Sequence, residues 1–548
     1  MNLNFVGDGL FLSKNEYLKS FNNSCTELSL SFWREEQRYV FFSANQGERI
    51  QLKNQERNIQ CRLLKIKDTL AYIGRGSDFG KIPFENKEKV YDFFELFSDN
   101  FVTEDSLFCM EINLLPQLAS GTYSIWIEGR EHTLLTKVVV KPFDIKETQE
   151  GFFSLELWQY PFAVARFYGV TKDNWFGKKH EELVKENLRE YKKAGGDTVA
   201  ATIVHEPWHH QTYDDYPSLI KWRLKNNQFS FDFSDFDTYI QWNFDVGIDK
   251  KIKCFSLLPW ENQIHYYQED SFNMISETLE VGSERWQKIW FDFLKAFGEH
   301  QDEKGWLKKT YLSIDERPIE EIACVIQLLK NLENQTGLNF YLSGAMNANH
   351  LANPLLNEFK DISVSQAVVL DKTIFKNFVK ERKNKNLTTS VYNCVGDYPS
   401  MFATSEPTEA AYIIWFIAST EANGFLRWAL DAWVKNPFED ISHWYWESGD
   451  PFLIYPYRYE EKEPNLSPRY IMMKQTINDV RKYRYIQWHH RELTTTLDAY
   501  LKELTLPKGK LNALGAMVAS EPTDFVSSLK RIEQELKKVF SAYEKKYG

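Results

Sequence analysis

The chain is short of the residue patterns that usually announce a chemistry. Its six cysteines, Cys25, Cys61, Cys109, Cys254, Cys324 and Cys394, are scattered without paired spacing. That excludes a disulfide framework or a cysteine zinc site and reads as reduced core thiols. No Gly-x-Ser-x-Gly elbow occurs, and no cysteine has an assignable histidine partner. Gly74-Arg-Gly76 and Ser120-Gly121 read as turns, because no strand-to-helix fingerprint for phosphate surrounds them. Excess positive charge is missing too. A net charge of −11 argues against binding a nucleic-acid backbone, which needs clustered Lys and Arg. A basic run, Lys380 to Lys385, reads as the solvated face of a helix. Met1-Asn-Leu-Asn-Phe-Val-Gly-Asp8 carries no basic segment leading into an apolar one, and the most apolar stretch, Ala410 to Ser419, is too short to cross a bilayer. A cytoplasmic protein without membrane insertion is expected.

What the chain does have is aromatic surface. Its 17 Trp, 28 Tyr and 40 Phe exceed what packing requires, and flat apolar faces suit sugar rings as well as cores. At 548 residues it is too long for one core, so two or three domains are expected. Up to about Asp144, short alternating runs such as Glu27–Trp33, Tyr39–Ser43, Cys61–Ile66, Cys109–Leu114, Tyr123–Glu128 and Leu134–Val140 predict an antiparallel β-sandwich over residues 1–145. The period then changes. Strand-like runs at Phe153–Trp158, Asp197–Ile203, Cys254–Pro259, Lys309–Asp315, Asn339–Gly344, Asp361–Gln366, Thr388–Cys394 and Gly424–Leu430 alternate with amphipathic segments. Those segments are His180–Ala194, Phe233–Val246, Ser283–His300, Pro318–Gln335, Asn353–Phe359, Lys372–Lys383, Glu406–Glu421 and Pro468–Gln487. Eight such units predict a (β/α)8 barrel over residues 146–490, with a helical segment over 491–548.

In such a barrel the chemistry belongs at the C-terminal ends of the strands. The fourth predicted strand ends in Asp315-Glu316, followed by Arg317-Pro318, with proline suited to the first turn of a helix. Two adjacent acids in a partly desolvated mouth can share a proton; the plainer reading is a favourable helix start. Consecutive strand residues point to opposite faces, so both acids reach one ligand only if the backbone leaves strand geometry there.

His205-Glu206-Pro207-Trp208-His209 matches the letters of the zinc-protease pattern, but Pro207 would cost a helix about 3 kcal/mol. It is therefore read as a loop, not a metal site, with His205, Trp208, His209 and His210 at the mouth. Trp158 and Trp260 stand at other strand ends and favour a saccharide platform, and Tyr392 and Asn393 close the seventh strand. Arg427, beside Trp428 in Gly424-Phe-Leu-Arg-Trp-Ala-Leu-Asp431-Ala-Trp433, needs a carboxylate partner if buried; Asp431 and Asp450 are the candidates. With no other nucleophile in view, carboxylate chemistry and hence glycoside hydrolysis come first.

In order along the chain, Leu157-Trp-Gln-Tyr-Pro161, Tyr168-Gly-Val, Asp232-Phe-Ser-Asp-Phe-Asp237, Gly305-Trp306, Asp315-Glu316, Gly424-Phe-Leu-Arg-Trp-Ala, Trp433, Asn436-Pro437, Gly449-Asp450 and Leu453-Ile-Tyr-Pro456 resemble glycoside hydrolase family 123, the β-N-acetylgalactosaminidases. The resemblance runs from about Gly121 to Gln487. It implies a sandwich joined to a catalytic barrel, and an exo-acting, substrate-assisted retaining mechanism without metal or cofactor, in which the sugar's own 2-acetamido oxygen attacks the anomeric carbon. Glu316 would be the acid/base and Asp315 would hold the acetamido N–H. Trp158, His205, Trp208, Trp260, Tyr392, Asn393, Arg427, Trp428, Trp433 and Asp450 are the expected substrate contacts, and the partner is an amino-sugar oligosaccharide or glycoside. An N-acetylglucosaminidase and a non-hydrolytic carbohydrate-binding protein stay open as alternatives. Departures lie at Tyr457 and the charged run Arg458–Glu463, which could close over the pocket, and at Thr476-Ile-Asn-Asp479, where relatives carry glycine.

Overall fold

The computed structural model describes residues 3–6, 26–73, 87–148, 151–347, 351–393, 397–458, 461–511, 517–521 and 523–548. The turn expected at Gly74–Gly76, together with Cys25 and Cys394, falls outside these. The chain forms two compact units, one of residues 1–153, 395–419 and 436–548, the other of residues 154–394 and 420–435.

The first unit holds two facing sheets. One has seven antiparallel strands in the order Leu3–Phe5, Gln37–Ala44, Ser106–Leu114, Ile59–Tyr72, Lys87–Leu96, Asn465–Leu466 and Ile454–Tyr455. The other contains Glu27–Arg34, Thr133–Asp144, Gly121–Glu128 and Gln51–Asn54, with its first pair parallel. Alternate residues from both faces, among them Phe42, Phe108 and Met110 against Phe32, Ile125 and Val138, make one dry core, so the unit is a β-sandwich. The long helix Pro468–His489 is anchored to it by charge: Lys482 lies 2.8 Å from Glu36, and Arg38 reaches both Glu36 at 2.8 Å and Asp479 at 2.5 Å. Asp479 is thus occupied in a buried ion-pair network. The flanks of the altered loop, Ile454–Tyr455 and Asn465–Leu466, pair with each other and extend the large sheet. A terminal helix, Phe525–Tyr547, ends the chain.

The second unit is the barrel. Its eight parallel strands are Ser154–Leu157, Thr198–Thr202, Lys251–Phe255, Thr310–Asp315, Tyr341–Met346, Phe359–Ser365, Thr388–Tyr392 and Gly424–Arg427. Each pairs with its neighbour in sequence except the first with the second, which a single bridge, Leu155 to Gly196, brings near closure. Each of the eight predicted runs overlaps a strand, but the third begins earlier than predicted, at Lys251, and ends at Phe255, and the eighth ends at Arg427. One predicted helix is not a helix of normal length: Pro354–Glu358 makes only a 3-10 turn after the fifth strand. The apolar positions there, Leu355 and Leu356, are too few to sustain an amphipathic stripe. Two hairpins that alternation did not single out, Lys221–Lys225 with Gln228–Asp232 and Gln263–Gln268 with Asn273–Thr278, form a separate four-stranded sheet in the loops after the second and third strands.

The barrel interior is charged. Lys253 of the third strand pairs with Glu156 of the first and lies 3.2 Å from Asp361 of the sixth. Lys251 lies 2.8 Å from the same aspartate, which also accepts from Thr388 Oγ1 at 2.7 Å. Side chains from strands that are not neighbours meet only inside a barrel, so these residues mark its axis. Two lysines and two carboxylates balance, which is the condition for keeping such charges buried. Asp361 is accordingly held far below the ordinary carboxylate range: burial opposes ionisation, and Lys251 and Lys253 overcome it.

Candidate active site

The fourth strand ends where the sequence placed the acids. Asp315 pairs with Ala345 of the fifth strand, and the next N–H, of Glu316, still donates to the Ala345 carbonyl at 3.0 Å. At that residue the chain turns. Glu316 has φ +50°, left-handed backbone that a non-glycine residue adopts at a cost of about 1–3 kcal/mol. The turn removes the alternation that would send two consecutive side chains to opposite faces. Glu316 is exposed at the strand end, and its Oε1 accepts a hydrogen bond from the phenol of Tyr392, the last residue of the seventh strand. Asp315 is half-buried beside it. Pro318 follows with φ −56° and caps the helix Ile319–Thr336.

Asp315 keeps its proton well above the ordinary carboxylate range, first because burial penalises the anion and second because Glu316 adds negative charge; Glu156, deeper in the barrel, adds a little more. The Trp260 indole opposes this by favouring the ionised carboxylate. Its buried Nε1 makes no fully formed hydrogen bond among the described residues. Trp260 is held in place by Arg317, which donates to the Trp260 carbonyl at 2.7 Å and to Asn262 Oδ1 at 2.9 Å while pairing with Glu321 at 2.6 Å. The residue immediately after the two acids thus locks the loop that carries the indole.

Aromatic rings line the first three strand ends. Trp158 donates its indole N–H to Glu156 at 2.9 Å, stacks on Trp208 at 4.8 Å and 21°, and packs against Phe255 at 4.6 Å. Both tryptophans are buried, so one face of each is spent on the other. Trp428 sits edge-on to Tyr160 at 6.5 Å. Trp433 is fully buried against Phe167 and Tyr168. Arg427 is fully buried, and its Nη1 donates to Asn393 Oδ1 at 2.5 Å and to the Asn393 carbonyl at 3.2 Å; Asn393 in turn donates to Gln366 at 3.0 Å. Asp431 is not its carboxylate partner: its oxygens accept from the Tyr160 N–H and Asn187 Nδ2, both at 2.8 Å. Asp450, also fully buried, belongs to the sandwich unit, and its N–H donates to the Glu447 carbonyl at 3.0 Å.

The loop after the second strand is not helical, as Pro207 requires. His205 packs edge-on against His265 at 4.8 Å, and Trp260 N–H donates to the Pro207 carbonyl at 2.9 Å. Asp315, Glu316, Tyr392, Asn393, Arg427, Trp158, Trp208 and Trp260 therefore all stand at C-terminal strand ends of one barrel. Sequence reasoning missed the Lys251, Lys253, Glu156 and Asp361 quartet beneath them. Its signal was present in Lys251-Ile-Lys253-Cys-Phe, where alternate lysines break an otherwise apolar strand.

Residues 158–486 match the glycoside hydrolase 123 catalytic domain. A family 123 glycoside hydrolase from Clostridium perfringens, a structure concerned with glycolipid glycan hydrolysis, superposes with a TM-score of 0.88 at 30% identity, covering 99% of each chain. SrfJ from Salmonella typhimurium (TM-score 0.36, 10% identity, 59% of this chain and 74% of that one) and a maltogenic amylase from S. marinus (TM-score 0.34, 9% identity, 83% and 70%) are far more distant. No protein in the comparison with curated proteins matches. A barrel with paired acids at its fourth strand, a family match across most of the barrel and a relative aligned end to end agree: the chain is a glycosidase and belongs to glycoside hydrolase family 123.

Proposed function

We propose that the protein removes terminal β-linked N-acetylgalactosamine, as an exo-acting enzyme, by a substrate-assisted retaining mechanism. The observation that carries this reading is the left-handed turn at Glu316, which presents two consecutive carboxyl groups at one strand end. One of them, Asp315, already carries a proton that an ordinary carboxylate would have lost. A bound 2-acetamido sugar donates its N–H to Asp315, and together with the Trp260 indole this favours the Asp315 anion. The proton moves to Glu316. Glu316 then protonates the glycosidic oxygen as the acetamido oxygen attacks the anomeric carbon and the bond to the leaving group breaks. The cyclic cation rests against ionised Asp315. Water then adds at the anomeric carbon, giving its proton to Glu316, and the acetamido group is restored. No carboxylate nucleophile is required, as in the substrate-assisted exceptions to the two-carboxylate scheme.

The test uses aryl 2-acetamido-2-deoxy-β-galactosides in which the acetyl group carries zero to three fluorines. Each fluorine weakens the acetamido oxygen as a nucleophile, so kcat/KM is expected to fall steeply along the series. A flat series would refute assistance by the substrate. The galactose preference is read separately, from the gluco epimer assayed side by side, and equal turnover of the two would make the enzyme a general β-N-acetylhexosaminidase. The glycan of a glycolipid, the kind of substrate named for the Clostridium perfringens relative, is the natural substrate to try after aryl glycosides.

A further inference from the structure

The loop from His205 to Tyr216 contains more chemistry than sugar hydrolysis uses. It runs through three left-handed non-glycine residues, Glu206, His209 and His210, and is closed on itself by the Glu206 side chain, which accepts from the backbone N–H of Tyr216 and of His210, the latter at 2.8 Å. This closure brings His210 Nδ1 to 3.3 Å from Asp215 Oδ1 and to 3.7 Å from Glu206 Oε2. The ligand atoms of all three residues lie within 4.8 Å of one another. A tetrahedral zinc ion with bonds of about 2.0–2.2 Å separates its ligand atoms by about 3.3–3.6 Å. The two distances to His210 fall at or close to that edge length.

The surroundings fit a cation as well. The loop borders a cavity of about 140 Å³ whose wall includes His205, His209, Glu261 and His265. His265 Nδ1 is buried there with no hydrogen-bond partner among the described residues. His210 and Asp215 are exposed, which leaves an entry path and open coordination positions for water.

We propose that Glu206, His210 and Asp215 form a binding site for a divalent transition-metal ion of the zinc type. An imidazole with two carboxylates suits zinc, cobalt or nickel rather than calcium or magnesium, which prefer oxygen alone. The site differs from the helical zinc-protease arrangement whose letters the sequence contains: only the glutamate of that motif is used, with the histidine just beyond it and an aspartate five residues further on. The ion takes no part in the glycosidase chemistry and clips a loop. That loop carries Trp208, which stacks on Trp158, and its Pro207 carbonyl receives the Trp260 N–H.

The experiment is independent of glycosidase activity. Full-length protein is stripped with chelator, desalted and titrated calorimetrically with zinc, with cobalt absorption as a second readout. One ion per chain, a rise in Tm that chelator reverses, and visible cobalt bands of a low-coordinate site are expected. His210→Ala, an exposed position that leaves the fold intact, is expected to weaken binding by more than the 10–100-fold, roughly, that loss of an outer-sphere partner causes. Asp215→Asn is expected to act in the same direction. Absence of saturable binding to wild type overturns the proposal. So does binding unchanged in both variants, or binding lost in His209→Ala but kept in His210→Ala.

Discussion

Tyr392, the last residue of the seventh barrel strand, donates its phenol hydrogen to Glu316, the residue that follows the fourth. The bond crosses the mouth between strands that are not neighbours and holds a side chain whose backbone is already left-handed. A flexible glutamate thereby becomes a directed one. Both halves of the arrangement are needed: the turn brings Glu316 to the same side as Asp315, and Tyr392 fixes where its carboxyl group ends.

Tyr392→Phe removes that hydrogen bond while keeping the ring in its buried site. A hydrogen bond to a charged group contributes about 1.5–3 kcal/mol, so kcat/KM is expected to fall roughly 10–100-fold with little change in thermal stability. Glu316→Gln should lose more, about 10²–10⁴-fold on substrates with a poor leaving group, and much less on an activated aryl glycoside that departs without protonation. Equal losses on both substrates in Glu316→Gln would contradict its assignment as the acid.

Trp260→Phe tests the electrostatics of the pair. The indole N–H favours ionised Asp315, so its removal pushes the Asp315 pKa further up. In the proposed mechanism activity needs one proton on the pair and is lost as the pH rises far enough to remove it. The alkaline limb of the kcat/KM profile is therefore expected to move to higher pH in Trp260→Phe, with a lower plateau because the Asp315 anion is less stabilised. A limb that stays put or moves to lower pH would refute the coupling.

The strand order, the barrel and the place of Asp315-Glu316 were legible because each barrel strand is a short apolar run bounded by turn residues, and a run of eight admits few topologies. The conflict between two consecutive acids and strand alternation was legible as well, and its resolution was not. No rule of propensity places a left-handed glutamate there, and the hydroxyl that meets its side chain belongs to Tyr392, far away in sequence. The two loop hairpins escaped because Lys221–Asp232 and Gln263–Thr278 expose one face to water and carry charge on it, so their alternation resembles polar loop. Arg427 was expected to meet a carboxylate and Asp431 does not supply one. The guanidinium donates to the amide oxygen of Asn393, a contact that no sequence pattern announces.

Asp431 is itself a pH probe. Burial raises its pKa to about 6, against the hydrogen bonds from Asn187 and Tyr160 that favour its anion. An unfolded aspartate titrates near 4, so between about pH 4 and pH 6 the folded chain binds more protons than the unfolded one and stability falls as pH rises. The total is about 2–3 kcal/mol, complete above the folded pKa. Asp431→Asn removes the ionisation. Asn187 Oδ1 lacks a hydrogen-bond partner among the described residues, so a flip of the Asn187 amide lets it accept from the new side chain. The variant is expected to be more stable than wild type above pH 6 and to lose the slope between pH 4 and pH 6 in urea unfolding followed across pH. A slope that persists unchanged would assign it to other groups.

The buried quartet lies under the proposed catalytic pair, and a double-mutant cycle separates its part in stability from its effect on that pair. Lys253→Met strands Glu156, whose remaining hydrogen bond comes from the Trp158 indole, and is expected to destabilise by about 3–5 kcal/mol in urea unfolding. Glu156→Gln keeps an oxygen for that indole and leaves Lys253 with Asp361 at 3.2 Å, so its effect should be smaller. The double variant should recover about 1–3 kcal/mol relative to the sum of the singles, because neither partner is then left alone in the barrel. Glu156 also helps to hold the proton on Asp315. Removing its charge should therefore move the alkaline limb of kcat/KM to lower pH, opposite in sign to Trp260→Phe. Additive stabilities would mean that Glu156 and Lys253 are not coupled. Shifts of the same sign in Glu156→Gln and Trp260→Phe would mean that the two residues do not act on Asp315 through its charge.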